Sequence, residues 1–147
     1  MKYFAYGSNM NPRRLLRRVQ FEGKPEKAIL KGFRLRFNKI DYSTVGAGYA
    51  NITRKSDGIV EGVLFDVPDE FMPVLDVYEG VPFHYIRKPM TVQTESGSER
   101  AEVYVAVKRA TGFKLRPKKQ YWFHLAVGAK IFLSEDYYKQ ILRVKCI

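Results

Sequence analysis

The chain has 147 residues, of which 46% are hydrophobic and 28% charged, a composition that supports a folded core and excludes a disordered polypeptide. Its 26 Lys and Arg residues against 15 Asp and Glu residues give a formal net charge of +11, which attracts anions without specifying one. The only cysteine, Cys146, excludes an internal disulfide framework and a cysteine-rich zinc site. No apolar run is long enough for a signal peptide or a membrane span, so we expect a cytoplasmic protein with no membrane contact.

The first elements in chain order are a short strand and a short helix. The segment from Lys2 to Tyr6 is aromatic and apolar and stops at Gly7, which predicts a strand that enters a turn. Asn11 before Pro12 is typical of a helix start, because asparagine caps helices and proline fits the first helical position. An apolar stripe that includes Leu15 predicts the buried side of this helix.

Three β-rich stretches follow. Hydrophobic and basic residues alternate over residues 31–38, which predicts a strand with one buried and one basic face. Residues 49–53 and 59–65 predict two further strands joined by a turn at Asp57-Gly58. Gly62, inside the last of these strands, indicates a bulge or a close approach of another part of the backbone.

The remaining elements are helices and a hairpin. Apolar residues spaced by three and four over residues 71–78 predict an amphipathic helix that ends at Gly80. Residues 85–94 and 100–107 flank a Ser-Gly turn, which predicts a β-hairpin. Two late helices are predicted to begin at Pro117 and Ser134.

This order of elements predicts an α+β fold with a mixed, mostly antiparallel and barrel-like sheet and flanking helices, because strands outnumber helices and the helices come mostly late. No repeat, low-complexity run or linker interrupts the chain. We therefore predict a single domain over residues 1–147.

The residue inventory excludes several kinds of catalytic site. Only two histidines occur, His84 and His124, and the chain has no HExxH, paired CxxC, EF-hand, GxSxG, Walker A or strand-linked GxGxxG motif. We therefore expect no metal, no cofactor and no Ser or Cys nucleophile.

Two features can carry chemistry. The loop after the first strand leads directly into a helix start, and Gly7 lets backbone N–H groups turn toward one point, which is typical of an anion site. Glu79 stands at a helix end near apolar residues, where the helix dipole and partial burial raise the pKa of a carboxyl group; the neighbours expected to bury it are Tyr78, Val81 and Phe83. The residues alone leave open a simple turn and a solvated glutamate.

At these positions the chain resembles the γ-glutamylcyclotransferase-like superfamily, also called AIG2-like. The segment from Tyr3 to Met10, YFAYGSNM, is similar to the substrate-binding loop of that family, and Gly48 to Ile52 to its next recurrent segment. Leu75 to Val81, followed by Tyr85, is similar to the stretch that carries the catalytic glutamate, and Pro117 to Tyr121 looks like the C-terminal helical region. The similarity covers nearly the whole chain.

The resemblance implies a metal-independent reaction in which the α-amino group of a γ-glutamyl compound attacks its own γ-carbonyl and releases 5-oxoproline and an amine or amino acid. Glu79 would be the catalytic acid and base. The backbone of the loop would hold the glutamyl carboxylate or the oxyanion, and tyrosines would line the pocket or orient Glu79 or the substrate. The implied substrate-binding residues are Tyr6, Gly7, Ser8, Asn9, Tyr85 and Tyr121.

The sequence departs from the family pattern in two places. The gap from Glu79 to Tyr85 is one residue shorter, and Lys118 occupies a place where serine is common. The leaving group is therefore undefined. A non-catalytic module that binds a small carboxylate on the same fold is the alternative to an enzyme. The +11 charge predicts at most nonspecific nucleic-acid association, and the oligomeric state, including a homodimer, stays open.

Overall fold

Five β-strands form the centre of the structure, a computed structural model that describes all 147 residues. The strands are β1 (Lys2–Ala5), β2 (Glu22–Ile40), β3 (Gly48–Asp66), β4 (Tyr85–Thr94) and β5 (Gly97–Ala106). The helices are α1 (Pro12–Leu16), α2 (Met72–Glu79), α3 (Lys119–Phe132) and α4 (Glu135–Leu142). Short 3-10 turns occupy Ser8–Met10, Asp69–Phe71 and Lys108–Ala110.

The strands close into a barrel in the order β1-β3-β2-β4-β5. All pairs are antiparallel except β1 with β5, which run parallel and meet where Tyr3 pairs with Glu102. The β2–β4 seam is also narrow, because its only backbone pair joins Ile29 to Gln93. The predicted α+β fold with a mixed, mostly antiparallel barrel is confirmed.

One predicted boundary is wrong: residues 49–53 and 59–65 belong to the single strand β3, and the Asp57-Gly58 step is not a hairpin turn. The pairing of β2 with β3 shifts register at three places, one of them between Lys31 and Phe33, where the extra residues of β3 form a bulge. A bulge depends on the partner strand, and local turn composition cannot distinguish it from a hairpin.

Gly62 provides the close approach that its position indicated. A Cβ atom there would lie 2.5 Å from the carbonyl oxygen of Ala5 and 2.6 Å from the Phe4 ring, closer than van der Waals contact allows. Glycine therefore lets β1 lie directly against β3. This contact fixes the point at which the chain leaves β1 and enters the loop that follows.

Three helix ends lie where local chemistry predicted them, whereas α3 begins at Lys119, two residues after the predicted Pro117. The Asn11 side chain accepts a hydrogen bond from the Arg13 N–H at 3.1 Å and caps α1. Gly80 ends α2 in the left-handed conformation, with φ of 70°. Ser134 caps α4 and also binds the Glu61 carboxylate through its N–H and hydroxyl groups, at 2.8 and 2.7 Å.

The loop after β1 rests on α3. Gly128 gives it room, since a Cβ atom there would lie 2.6 Å from the carbonyl carbon of Met10. Asn11 adds a side-chain hydrogen bond to His124 at 3.0 Å. The barrel end and α3 thus hold the loop from two sides. No helix in the structure is both long enough and apolar enough to cross a bilayer.

Candidate active site

A cavity of about 370 Å³ lies where the loop after β1 meets the C-terminal end of α2 and the first turn of α3. The structure brings every candidate residue of the sequence analysis to this one cavity. Those residues are Tyr6, Gly7, Ser8, Asn9, Glu79, Tyr85 and Tyr121. Further charged groups also line it, and the sequence analysis did not assign them: Arg14, Arg18, Lys39 and Asp41.

A hydrogen bond connects the loop to the end of α2. Asn9 is 3% exposed, and its Nδ2 donates to Glu79 Oε1 at 3.2 Å and to the Tyr3 hydroxyl at 3.1 Å. Both amide protons are therefore used, which fixes the Asn9 side chain between the first strand and the carboxylate. The chain brings these residues together although 70 positions separate them.

The Glu79 carboxyl group has an unusual acidity. Burial raises its pKa from an ordinary 4.5 to about 7, with a further upward contribution from Asp76, while the cations Arg18 and Arg14 pull the pKa down. The carboxyl group thus changes protonation near neutral pH, which suits a proton carrier.

Of the residues expected to bury Glu79, Val81 is half-buried and packs against the core, whereas Tyr78 and Phe83 are largely exposed. Phe83 is 69% exposed and Tyr78 is 54% exposed, so neither can exclude much water. Glu79 instead faces the loop, where it bonds Asn9, and the tyrosines of the barrel end share its cavity. The local expectation missed these tyrosines because they come from β1 and the loop after it, from β3, β4 and β5, and from α3, all far from Glu79 in sequence.

Tyr85 and Tyr121 contact the same backbone unit rather than Glu79. The Tyr85 hydroxyl donates to the Ala50 carbonyl oxygen at 2.7 Å, and the Ala50 N–H donates to the Tyr121 hydroxyl at 3.0 Å. Tyr121 consequently keeps its own hydroxyl proton available for a ligand, whereas Tyr85 can only accept. Ala50, in the Gly48 to Ile52 segment, thereby positions the rings of both Tyr85 and Tyr121.

Tyr6 belongs to a chain of hydrogen bonds behind the cavity. Its hydroxyl donates to the Tyr104 carbonyl oxygen at 2.5 Å, and the Tyr104 hydroxyl donates to Asp76 Oδ1 at 2.6 Å. Arg87 completes the network with ion pairs to Asp76 at 3.0 Å and Glu102 at 3.2 Å. These contacts hold α2 against β4 and β5, and so fix the helix end that carries Glu79.

Arg14 in α1 and Arg18 in the turn after it line the cavity without a carboxylate partner within 4 Å. Arg14 Nε donates to the Ser8 hydroxyl at 3.0 Å, and the Arg18 guanidinium lies 5.1 Å from the centre of the Tyr78 ring. The sequence interpretation placed them on a solvated surface. Arg18 lies in the turn beyond α1, so the rule that residues four apart share a helical face did not apply to this pair.

Lys39 and Asp41 approach the cavity from the end of β2, and both are 4% exposed. Both Asp41 oxygens are engaged, Oδ1 by Ser43 and Oδ2 by Lys118 at 2.9 Å. These contacts lower the pKa of Asp41 to about 2 and keep it ionised. The period-two pattern of β2 gave no signal for Lys39, because a register shift between Arg36 and Lys39 interrupts the alternation.

No cluster of three or more His, Cys, Asp or Glu side chains is placed to hold a metal ion. The two histidines lie apart. His124 bonds Asn11, and the His84 ring is 5.7 Å from the Tyr42 ring. The cavity therefore offers the carboxyl groups of Glu79 and Asp41, the His84 imidazole, several hydroxyl groups and cations.

The family profile described as "Gamma-glutamyl cyclotransferase, AIG2-like" matches residues 3–124. The chain belongs to this family. A curated relative from Methanocaldococcus jannaschii, named as a gamma-glutamylcyclotransferase and candidate RNase, is 27% identical over 107 residues. That match covers 72% of this chain and 45% of the relative, so the cyclotransferase-family chain spans less than half of the relative's length.

Solved structures show the same fold. A gamma-glutamyl cyclotransferase superposes with a TM-score of 0.87 at 24% identity, over 100% of this chain and 89% of that one. A human protein described as uncharacterized superposes with a TM-score of 0.83 at 24% identity, over 99% of this chain and 88% of that one. A yeast cyclotransferase described as specific to glutathione superposes with a TM-score of 0.65 at 13% identity, over 97% of this chain and 93% of that one. At these identities the likeness establishes the cyclotransferase-family fold and leaves the substrate open.

Proposed function

We propose that this chain is a γ-glutamyl cyclotransferase with Glu79 as its catalytic acid and base. The substrate is a γ-glutamyl amino acid or amine, whose α-amino nitrogen attacks its own γ-carbonyl carbon. A ring C–N bond forms, the scissile C–N bond breaks, and the products are 5-oxoproline and the free amine. Because nucleophile and electrophile belong to one molecule, the protein's main task is to hold the substrate in a folded shape.

The observation that carries the proposal is the hydrogen bond between Asn9 and Glu79 at the cavity. It supports a site in which the loop and the carboxyl group act on the same bound molecule. A cavity of about 370 Å³ has the size of a small-molecule site.

Proton transfer explains the value of a raised pKa. Glu79 accepts a proton from the α-ammonium group and gives one to the leaving nitrogen, while the second proton lost by the attacking nitrogen balances the ammonium formed on the product. An ordinary glutamate lies about 3.5 pKa units below an α-amino group, which costs about 5 kcal/mol. With the pKa of Glu79 at about 7, the gap shrinks to about 1 kcal/mol.

The remaining residues have binding roles in this proposal. The backbone N–H groups of Gly7, Ser8 and Asn9 hold the glutamyl carboxylate or the developing oxyanion, where one well-placed donor contributes about 3 kcal/mol to the transition state. The Arg14 side chain on Ser8 adds positive charge beside the loop. Tyr121 offers its free hydroxyl proton to the substrate.

The decisive experiment measures 5-oxoproline formed from a panel of γ-glutamyl amino acids and γ-glutamyl amines. We expect turnover of at least one compound and a loss of about 1,000-fold or more in Glu79→Gln, because general acid and base catalysis contributes about 100- to 10,000-fold. Glu70→Gln is the matched control, since Glu70 is exposed and outside the cavity. Binding without product formation across the panel would favour the non-catalytic carboxylate-binding module.

A further inference from the structure

Lys39 is a buried cation that lacks a carboxylate partner. Its ammonium group donates to the Ile40 carbonyl oxygen at 2.8 Å, which leaves two of its three protons unused. The rings of Tyr42, Tyr49 and Tyr85 surround it, with centroids 5.0, 5.6 and 6.0 Å from Nζ. Such a cage stabilises a cation only partly, and the charge of a lysine residue that is 4% exposed is costly without an ion-pair partner.

Asp41 lies near enough to stabilise the charge of Lys39 but makes no direct ion pair with it. Its two oxygens already bind Ser43 and Lys118, and no carboxylate oxygen lies within 4 Å of Lys39 Nζ. Lys118, which departs from the family pattern, makes the ion pair of Asp41. An anionic group of the bound molecule is the partner that the cavity lacks.

The charge of the candidate substrates distinguishes between leaving groups. The proposed site assigns the glutamyl carboxylate to the loop and Arg14, and the α-ammonium group to Glu79. A γ-glutamyl amino acid carries one more carboxylate, on the carbon that bears the scissile nitrogen. A γ-glutamyl amine has no such group and would leave Lys39 unpaired in the complex.

We infer that Lys39 is a specificity-determining residue that binds the carboxylate of the leaving amino acid, so that the enzyme prefers γ-glutamyl amino acids to γ-glutamyl amines. This inference rests on the proposed function. A site built to pair with a polar group rejects the analogue that lacks it, because the buried partner is left without its counter-charge.

The test compares γ-glutamylalanine with γ-glutamylalaninamide, which have the same shape and differ in the carboxylate. For the wild-type protein we expect kcat/KM to be about 100-fold higher for the acid, mostly through KM, in line with a buried charge pair. Lys39→Met should reduce this preference to less than about threefold, and Lys39→Arg should restore part of it. Lys130→Met, an exposed lysine outside the cavity, should keep the full preference.

Two results would overturn the inference: equal kcat/KM for the two substrates in the wild-type protein, or a preference that survives in Lys39→Met. The wild-type comparison needs no variant, so it holds even where Lys39→Met does not fold. Calorimetric binding of both compounds to Glu79→Gln separates the two proposals. Selective binding of the acid without any turnover in the wild-type protein refutes the proposed function and supports the role of Lys39 in binding.

Discussion

The raised pKa of Glu79 makes a prediction about stability that does not depend on knowing the substrate. In the unfolded chain Glu79 titrates near 4.5, and in the folded protein near 7. Between these values the folded state binds more protons than the unfolded state, so the free energy of unfolding falls as the pH rises. The loss of stability begins above the pKa that Glu79 has in the unfolded chain and is complete above the pKa that it has in the folded protein.

Its magnitude follows from the shift. A change of about 2.5 pKa units at about 1.36 kcal/mol per unit amounts to about 3 kcal/mol at high pH. Glu79→Gln keeps the shape and the oxygen that accepts from Asn9, and it removes the charge. We therefore expect the free energies of unfolding of the variant and the wild-type protein to agree within about 1 kcal/mol at pH 5. At pH 8.5 the difference should have shifted by about 2 to 3 kcal/mol in favour of the variant.

Urea denaturation of both proteins at the two pH values measures this difference. All other titrating groups are common to the two proteins, so their contributions cancel. Glu70→Gln, which removes an exposed carboxylate, should show a difference of less than about 0.5 kcal/mol at either pH. A stability gap between Glu79→Gln and the wild-type protein that stays constant from pH 5 to pH 8.5 would refute the reasoning.

Three further substitutions test the supporting structure. Gly62→Ala should lower the free energy of unfolding in urea by about 3 kcal/mol, because the new methyl group overlaps β1; an unchanged midpoint would contradict the close approach. Ser134→Ala should cost about 1 to 2 kcal/mol in the same assay, since it removes the α4 cap, whereas Ser134→Asn should recover part of the loss. Tyr121→Phe should lower thermal stability by about 1 to 2 kcal/mol, because the Ala50 N–H loses its acceptor, and wild-type stability would argue against this contact.

Features that depend on local chemistry were predictable from the sequence. The period of apolar residues and the left-handed glycine located α2 and its end at Gly80, and the caps Asn11 and Ser134 located two helix starts. Each of these signals lies within one or two turns of the chain. Long-range pairing was less accessible, and the bulged strand β3 was divided in two because its continuity depends on β2.

The candidate site was likewise predictable only in part from the sequence. Sequence chemistry and the family resemblance singled out Glu79 and the loop, while their contact is a property of the folded chain. Lys39 and Asp41 were missed because a lysine-rich stretch is usually a solvated face, and only the closed barrel end buries them. The exposure of Tyr78 and Phe83 was missed for a related reason, since adjacency in sequence at a helix end does not determine which side chains exclude water.

The most direct test of the account is the pH dependence of kcat/KM for 5-oxoproline release from a γ-glutamyl substrate. Because Glu79 must be ionised to accept a proton, kcat/KM should reach a plateau above about pH 7 and fall about tenfold per pH unit below it. Glu79→Gln should show only a small residual rate without this acid limb. A rate that is independent of pH between 5 and 7.5, or an acid limb that persists in Glu79→Gln, would contradict the assignment of Glu79 as the proton carrier.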